Sequence, residues 1–154
     1  MAPIVFHVYE QDPNDTMGVE KGWIVPRIEA TLNGICIGYL KIQYGAESHK
    51  NWPEVAYSWV KPEYQRQGLG TQLYVRAAIW LAENKNWPLC GSTIQSDYAR
   101  LLWGSLQSKN FPVDSRPTPW NKERFVPILD FTAVSNQEAR ELLQSLQERD
   151  LVPS

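Results

Sequence analysis

The stretch Val60-Lys61-Pro62-Glu63-Tyr64-Gln65-Arg66-Gln67-Gly68-Leu69-Gly70-Thr71 decides how this chain of 154 residues folds. Ahead of it, Glu54 to Val60 reads as a strand with period two. Val55, Tyr57 and Trp59 point one way, and Glu54, Ala56, Ser58 and Val60 the other. Behind it, a helical pattern runs from about Leu69 to Asn84. Leu69, Leu73, Ala77, Trp80 and Leu81 make one apolar face, and Val75, Ala78, Ile79 and Ala82 a second. Only Gln72, Arg76 and Glu83 form a polar stripe, so burial on most sides is expected. Between strand and helix, Gly68 and Gly70 let the backbone approach a ligand with no Cβ in the way. The first amides of the helix are unpaired donors at the positive end of its dipole. Such a turn suits a phosphate or pyrophosphate, with Thr71 adding a hydroxyl and Arg66 a charge. The alternative is a tight turn and nothing more.

Outward from this motif, Ile4 to Tyr9 reads as a strand that ends in the turn formers 11–18. Trp23 to Leu32 and Ile35 to Tyr44 flank Asn33-Gly34, which predicts a hairpin. Pro26 has no amide donor and predicts an edge position or a bulge for the first of these strands. Downstream, Trp87 to Ile94 reads as a strand. A helix capped by Ser96 or Asp97 follows and runs to about Ser108. Phe111 to Val113 and Glu123 to Phe131 read as strands around a proline-rich loop, 114–122. The capping box Ser135-Asn136-Gln137-Glu138 opens a last helix over 135–150, with Ala139, Leu142, Leu143 and Leu146 on one face. Consecutive strands followed by alternating strands and helices imply one mixed sheet covered by helices, an α/β (α+β mixed) class.

The length fits a single domain spanning 1–154. With 15 Lys and Arg against 17 Asp and Glu, the net charge of −2 lacks the basic footprint of a protein whose main partner is duplex nucleic acid. A hydrophobic content of 43% is too high for a disordered chain. No run approaches the ~20 apolar residues of a membrane span. The first residues lack a charged segment followed by an apolar one, so no signal peptide and a cytoplasmic location are expected. Cys36, Cys90, His7 and His49 have no ligand spacing, so free thiols and no metal site are expected.

The Walker loop needs a Lys after its last Gly, and the dinucleotide fingerprint needs a third Gly; both are missing. Gln65-Arg66-Gln67-Gly68-Leu69-Gly70 instead resembles the Gln/Arg-x-x-Gly-x-Gly/Ala signature of the GNAT superfamily of acetyl-CoA-dependent acyltransferases. The resemblance extends upstream through Val60, Pro62 and Tyr64. Downstream it takes in Ala99, Leu102, Trp103 and Phe111, about half the chain from Glu54. It implies a GNAT-like single domain, a mixed, mostly antiparallel sheet with helices on both faces. It further implies acetyl-CoA as co-substrate, no metal, and transfer of acetyl to a primary amine by direct attack on the thioester. Trp59 and Val60 would border the pantetheine arm, and Gln65, Arg66, Gln67, Gly68, Leu69, Gly70 and Thr71 the pyrophosphate. Ser96 replaces the family's Asn and either contacts the cofactor's arm or caps the helix; Trp103 replaces its Tyr.

For the base, the resemblance points to Glu54, six residues before Val60, where the histone-acetylating branch carries a glutamate; the alternative is an exposed strand opener. Asp97 and Glu63 are weaker choices. With indole unable to donate a proton at position 103, Tyr98 is the expected acid, with Tyr57 or solvent as substitutes. Family members usually insert two helices between the first two strands, and 10–22 is too short for them. The acceptor cleft should then be open, or completed by the 114–122 loop, the last helix or a partner chain such as a second copy in a homodimer. That favours a bulky acceptor, a protein or nucleic-acid amine. The rival of a different class is a catalytically inactive binding module acting through a macromolecular partner.

Overall fold

A computed structural model describes residues 3–15, 20–46 and 49–150. The elements, in chain order, are β1 (Val5–Tyr9), β2 (Arg27–Leu32), β3 (Ile35–Gln43), β4 (Glu54–Val60), α1 (Leu69–Lys85), β5 (Leu89–Cys90), α2 (Asp97–Ser108), β6 (Val113–Pro117), β7 (Phe125–Leu129) and α3 (Asn136–Asp150). They build one seven-stranded sheet in the order β1-β2-β3-β4-β5-β7-β6. Every pairing is antiparallel except β4 with β5. The mixed, mostly antiparallel sheet and the element order match the sequence reading.

Several local signals are visible in the backbone. Asn33 and Gly34 both adopt positive φ, 52° and 77°, the requirement of a primed hairpin turn. Asn86, at φ 57°, closes α1, and the Ser135 hydroxyl accepts the Glu138 amide at 3.2 Å ahead of α3.

Other expectations need correction. Pro26 does not lie on an edge strand, because β2 sits between β1 and β3. The proline ends the ladder instead: its carbonyl accepts the Ile42 amide at 2.9 Å, and before it only an isolated Ile24–Tyr44 bridge remains. The strand expected over 87–94 shrinks to Leu89–Cys90. From Ser92 the chain turns on itself, the Ser92 hydroxyl accepting the Ile94 amide at 3.2 Å, which leaves Ile94 exposed. Half of the proline-rich stretch 114–122 is strand, since Val113–Pro117 pairs with β7 along its whole length. As the outermost strand β6 tolerates the missing donor of Pro117.

Helix α1 packs across the sheet. Leu69, Leu73, Ala77 and Leu81 meet Ile28, Leu40, Ile42, Val60 and Leu89, and Leu102 and Leu106 of α2 and Ala139 and Leu146 of α3 complete the same core. Of the polar stripe expected on α1, Gln72 and Arg76 are covered and Glu83 is exposed. Gln72 is fully buried, its carbonyl oxygen accepts from Arg76 Nε at 3.3 Å, and the Arg76 guanidinium lies 3.8 Å from the Phe6 ring of β1. Burial lowers the affinity of Arg76 for its proton. On the other face of β5 and β7, Cys90, Val126 and Ile128 form a smaller cluster with Trp52.

The loop after β1 is fastened by a group the sequence gives no reason to single out. The Asp12 side chain is buried against Lys41 at 3.0 Å and Arg27 at 3.8 Å, neighbours across the β2–β3 ladder. Burial alone would raise its pKa. The Asn14 amide and the two cations more than offset that, and the carboxyl sits below the ordinary carboxylate value of 3.8. A lowered folded-state pKa means stability that is present in full above the unfolded value and lost as pH falls from there through the folded one. Asp12→Asn should therefore be less stable than the parent in urea at neutral pH, with the difference closing below pH 4. Leu73→Ala, a fully buried truncation, should cost about 2–5 kcal/mol in the same measurement.

Candidate active site

Between β4 and α1 the chain reverses through a single 3-10 turn, Pro62–Tyr64. The Gln65 side-chain amide donates to the Val60 carbonyl at 2.9 Å and ties the loop back to the strand end. Gln67 donates to the Glu63 carbonyl at 3.1 Å. Arg66 and Gly68 then take positive φ, 64° and 81°. The first intrahelical bond is from the Gln72 amide to the Gly68 carbonyl, 3.0 Å, and Gly68 supplies no side-chain cap. The amides of Leu69, Gly70 and Thr71 are thus left without helical partners. Positive φ at Arg66 and Gly68 bends the turn into a concavity beside these amides, a geometry suited to anions. The concavity is a cavity of about 410 Å³ bordered by Gln65, Arg66, Gly68, Gly70, Thr71, Tyr98, Leu101 and Leu102. At Gly70 an added Cβ would overlap the Tyr98 hydroxyl, so this glycine is set by the approach of α2 as well as by ligand access.

A second cavity, of about 300 Å³, opens where β4 and β5 part. The two strands pair only at Glu54 and Cys90. On its other side β4 bulges: Lys41 faces Tyr57 and Ile42 faces Val55, leaving Ala56 unpaired. The bulge shifts the alternation by one residue and corrects the face expected for Glu54. It lies on the side of Tyr57 and Trp59, not with Ser58 and Val60. Glu54 still borders the cavity, with Ser58, Tyr74, Ser96, Ala99 and Trp103 among the other walls. Glu54 Oε2 accepts from His49 Nε2 at 3.0 Å. A carboxylate only accepts, so that imidazole nitrogen carries hydrogen. The His49 ring stacks on Trp120, centroids 4.3 Å apart, and meets Trp23 edge-on at 5.0 Å. Burial and the charge of Glu54 push the adjacent Cys90 thiol well above its usual range.

The expected residues thus divide between two cavities that share α2. Gln65, Arg66, Gly68, Gly70, Thr71 and Tyr98 border the first; Glu54, Ser96 and Trp103 border the second. Leu69 is buried in the core and offers its amide alone. Val60 is likewise buried. Trp59 turns to the far face of the sheet and packs on Tyr39 at 5.8 Å. Ser96 caps α2, accepting the Ala99 amide at 3.1 Å. Tyr98 stands over Gly70 at the anion cavity, a different place from the acid position expected for it. His49, Ser58 and Tyr74 were not expected at the site. Tyr74 sits in an apolar helical repeat that reads as core, and the segments carrying His49 and Trp120 lie far apart in sequence.

Among solved structures, an Escherichia coli GNAT family N-acetyltransferase in complex with CoA matches with a TM-score of 0.53 at 18% identity, covering 88% of this chain and 87% of that one. A Klebsiella pneumoniae structure described as an acyl-CoA N-acyltransferase matches with a TM-score of 0.51 at 15% identity, covering 82% and 97%. At these identities the likeness is one of fold. No curated protein sequence matches the chain. The family model described as the acetyltransferase (GNAT) family matches residues 5–89. That match takes in more than half of the chain, including the glycine turn and the whole of β4, and the chain therefore belongs to the GNAT acetyltransferase family.

Proposed function

We propose that the protein is an acetyl-CoA-dependent N-acetyltransferase that moves an acetyl group to a primary amine by direct attack on the thioester. The observation that carries this reading is the pairing of the two cavities along α2. One is a cradle of unpartnered amides with Arg66 beside it, and the other ends at a carboxylate. Gly68, at positive φ, and Gly70 add no side chains of their own to the cradle, so a diphosphate can approach their backbone. Acetyl-CoA would supply the activated acetyl group when bound.

Glu54 takes the proton from the incoming ammonium and leaves a nucleophilic amine. His49 occupies Oε2, so Oε1 is the oxygen turned to this task. Trp120, carried between β6 and β7, stacks over His49, the hydrogen-bond partner of Glu54. An acceptor site built from strand ends and one hairpin is open, which favours an amine on a protein or nucleic acid. Free thiols at Cys36 and Cys90 suit a reducing compartment such as the cytoplasm.

Calorimetric titration with acetyl-CoA and with CoA tests the cradle. Micromolar binding is expected, and Gly70→Glu, with folding checked by circular dichroism, should weaken it at least 100-fold by placing bulk and negative charge among the amides. Unchanged affinity in that variant would reject the cradle. Turnover is read as thiol release with a panel of peptide and nucleobase amines. Glu54→Gln should lower it about 10²–10⁴-fold at neutral pH while leaving CoA affinity in place, and equal rates would remove Glu54 as the base.

A further inference from the structure

We propose that Tyr74 is the proton donor to the departing thiolate. The proposal rests on the acetyl-CoA reading above and goes beyond it by assigning an acid.

Gly70 and Tyr74 are four residues apart on α1 and share one face. At Gly70 that face meets the Tyr98 hydroxyl of α2. One turn on, the Tyr74 ring meets Trp103 of α2 edge-on, centroids 5.6 Å apart at 89°. The same seam therefore runs from the anion cradle to the β4–β5 cavity, where Tyr74 and Ser58 both form part of the wall. A chain anchored at the cradle and reaching toward Glu54 passes the Tyr74 hydroxyl.

The cavity offers few alternatives. Among its described lining residues the ionisable ones are Glu54, Tyr57 and Tyr74. Glu54 is engaged with His49 and is needed for the amine. Tyr57 is 54% exposed and packs beside Tyr39 on the far face of the sheet, centroids 5.9 Å apart. Trp103 has only an indole N–H. Tyr74, by contrast, is 2% exposed. Burial pushes its hydroxyl above the ordinary tyrosine range, and Tyr98 on α2 pushes in the same direction. The Ser58 side chain pulls part of the way back as a hydrogen-bond partner. The group is thus kept in its acid form at working pH.

In the step itself, with the ammonium proton already passed from Glu54 to solvent, the amine nitrogen forms the new bond to the acetyl carbon and loses its second proton to Glu54. The carbon–sulfur bond breaks with its electron pair going to sulfur, and sulfur takes the Tyr74 proton. Water returns the proton from Glu54 to Tyr74, which restores both groups.

The test needs no acceptor and uses CoA as the probe. The thiolate of bound CoA is titrated by its ultraviolet absorbance, as the difference between saturated and CoA-free protein, so that Cys36 and Cys90 cancel. A Tyr74 hydroxyl donating to the thiolate lowers the thiol's pKa. Tyr74→Phe, which keeps the ring against Trp103, should raise the midpoint by about one pH unit, a tenfold change in the ionisation constant, with CoA affinity at neutral pH within about threefold of the parent. Ser58→Ala should move it the same way by less, and it provides the reading if the Phe variant does not fold. Identical midpoints in the parent and the variants overturn the assignment of Tyr74 while leaving the acetyl-CoA reading intact. Failure of the parent to bind CoA overturns both.

Discussion

The reversal between β4 and α1 is the constraint on which the rest of the structure depends. One end of it is pinned by the Gln65 amide on the Val60 carbonyl, the other by Leu69 at the start of the buried helix. Between them the backbone has to pass through positive φ at Arg66 and at Gly68. A non-glycine residue held there stores of order 1–2 kcal/mol of strain. Arg66 keeps that conformation because the core-packed helix on one side and the strand on the other leave no other path. Packing thereby holds open a polar cradle that amide groups alone would not maintain.

This coupling also explains what was legible in the sequence. A strand that alternates, two glycines and a helix with apolar residues on most sides are all local signals, and each produced its element. The same holds for the Asn33-Gly34 turn and the Ser96 and Ser135 caps. The weaker readings share a cause. Leu89–Cys90 is a strand because of its neighbours on both sides, and residues 91–94, apolar or not, leave the sheet for a local turn. Val113–Pro117 pairs in spite of its proline because it is outermost.

The site was legible in part for the same reason. The cradle comes from one continuous stretch, so nearly all its members could be named. The cleft is assembled from β4, α1, the turn after β5 and α2. A single unpaired residue, Ala56, turns Glu54 to the opposite face, and no periodicity announces a bulge. Tyr74 is hidden among leucines and valines, where its hydroxyl matters only once Ser58 and Trp103 are placed beside it.

The way β4 and β5 meet has a mechanical meaning. The seven strands form two ribbons, β1 to β4 and β5 to β7, that share one rung, with the Cys90 amide on the Pro53 carbonyl at 2.9 Å beside it. Helix α1 spans both ribbons like the spine of a book. With one shared rung, the strands themselves do little to fix the angle between the ribbons, and the core around α1 does the rest. The width of the gap where β4 and β5 part is therefore set by how that helix is packed rather than by strand hydrogen bonding.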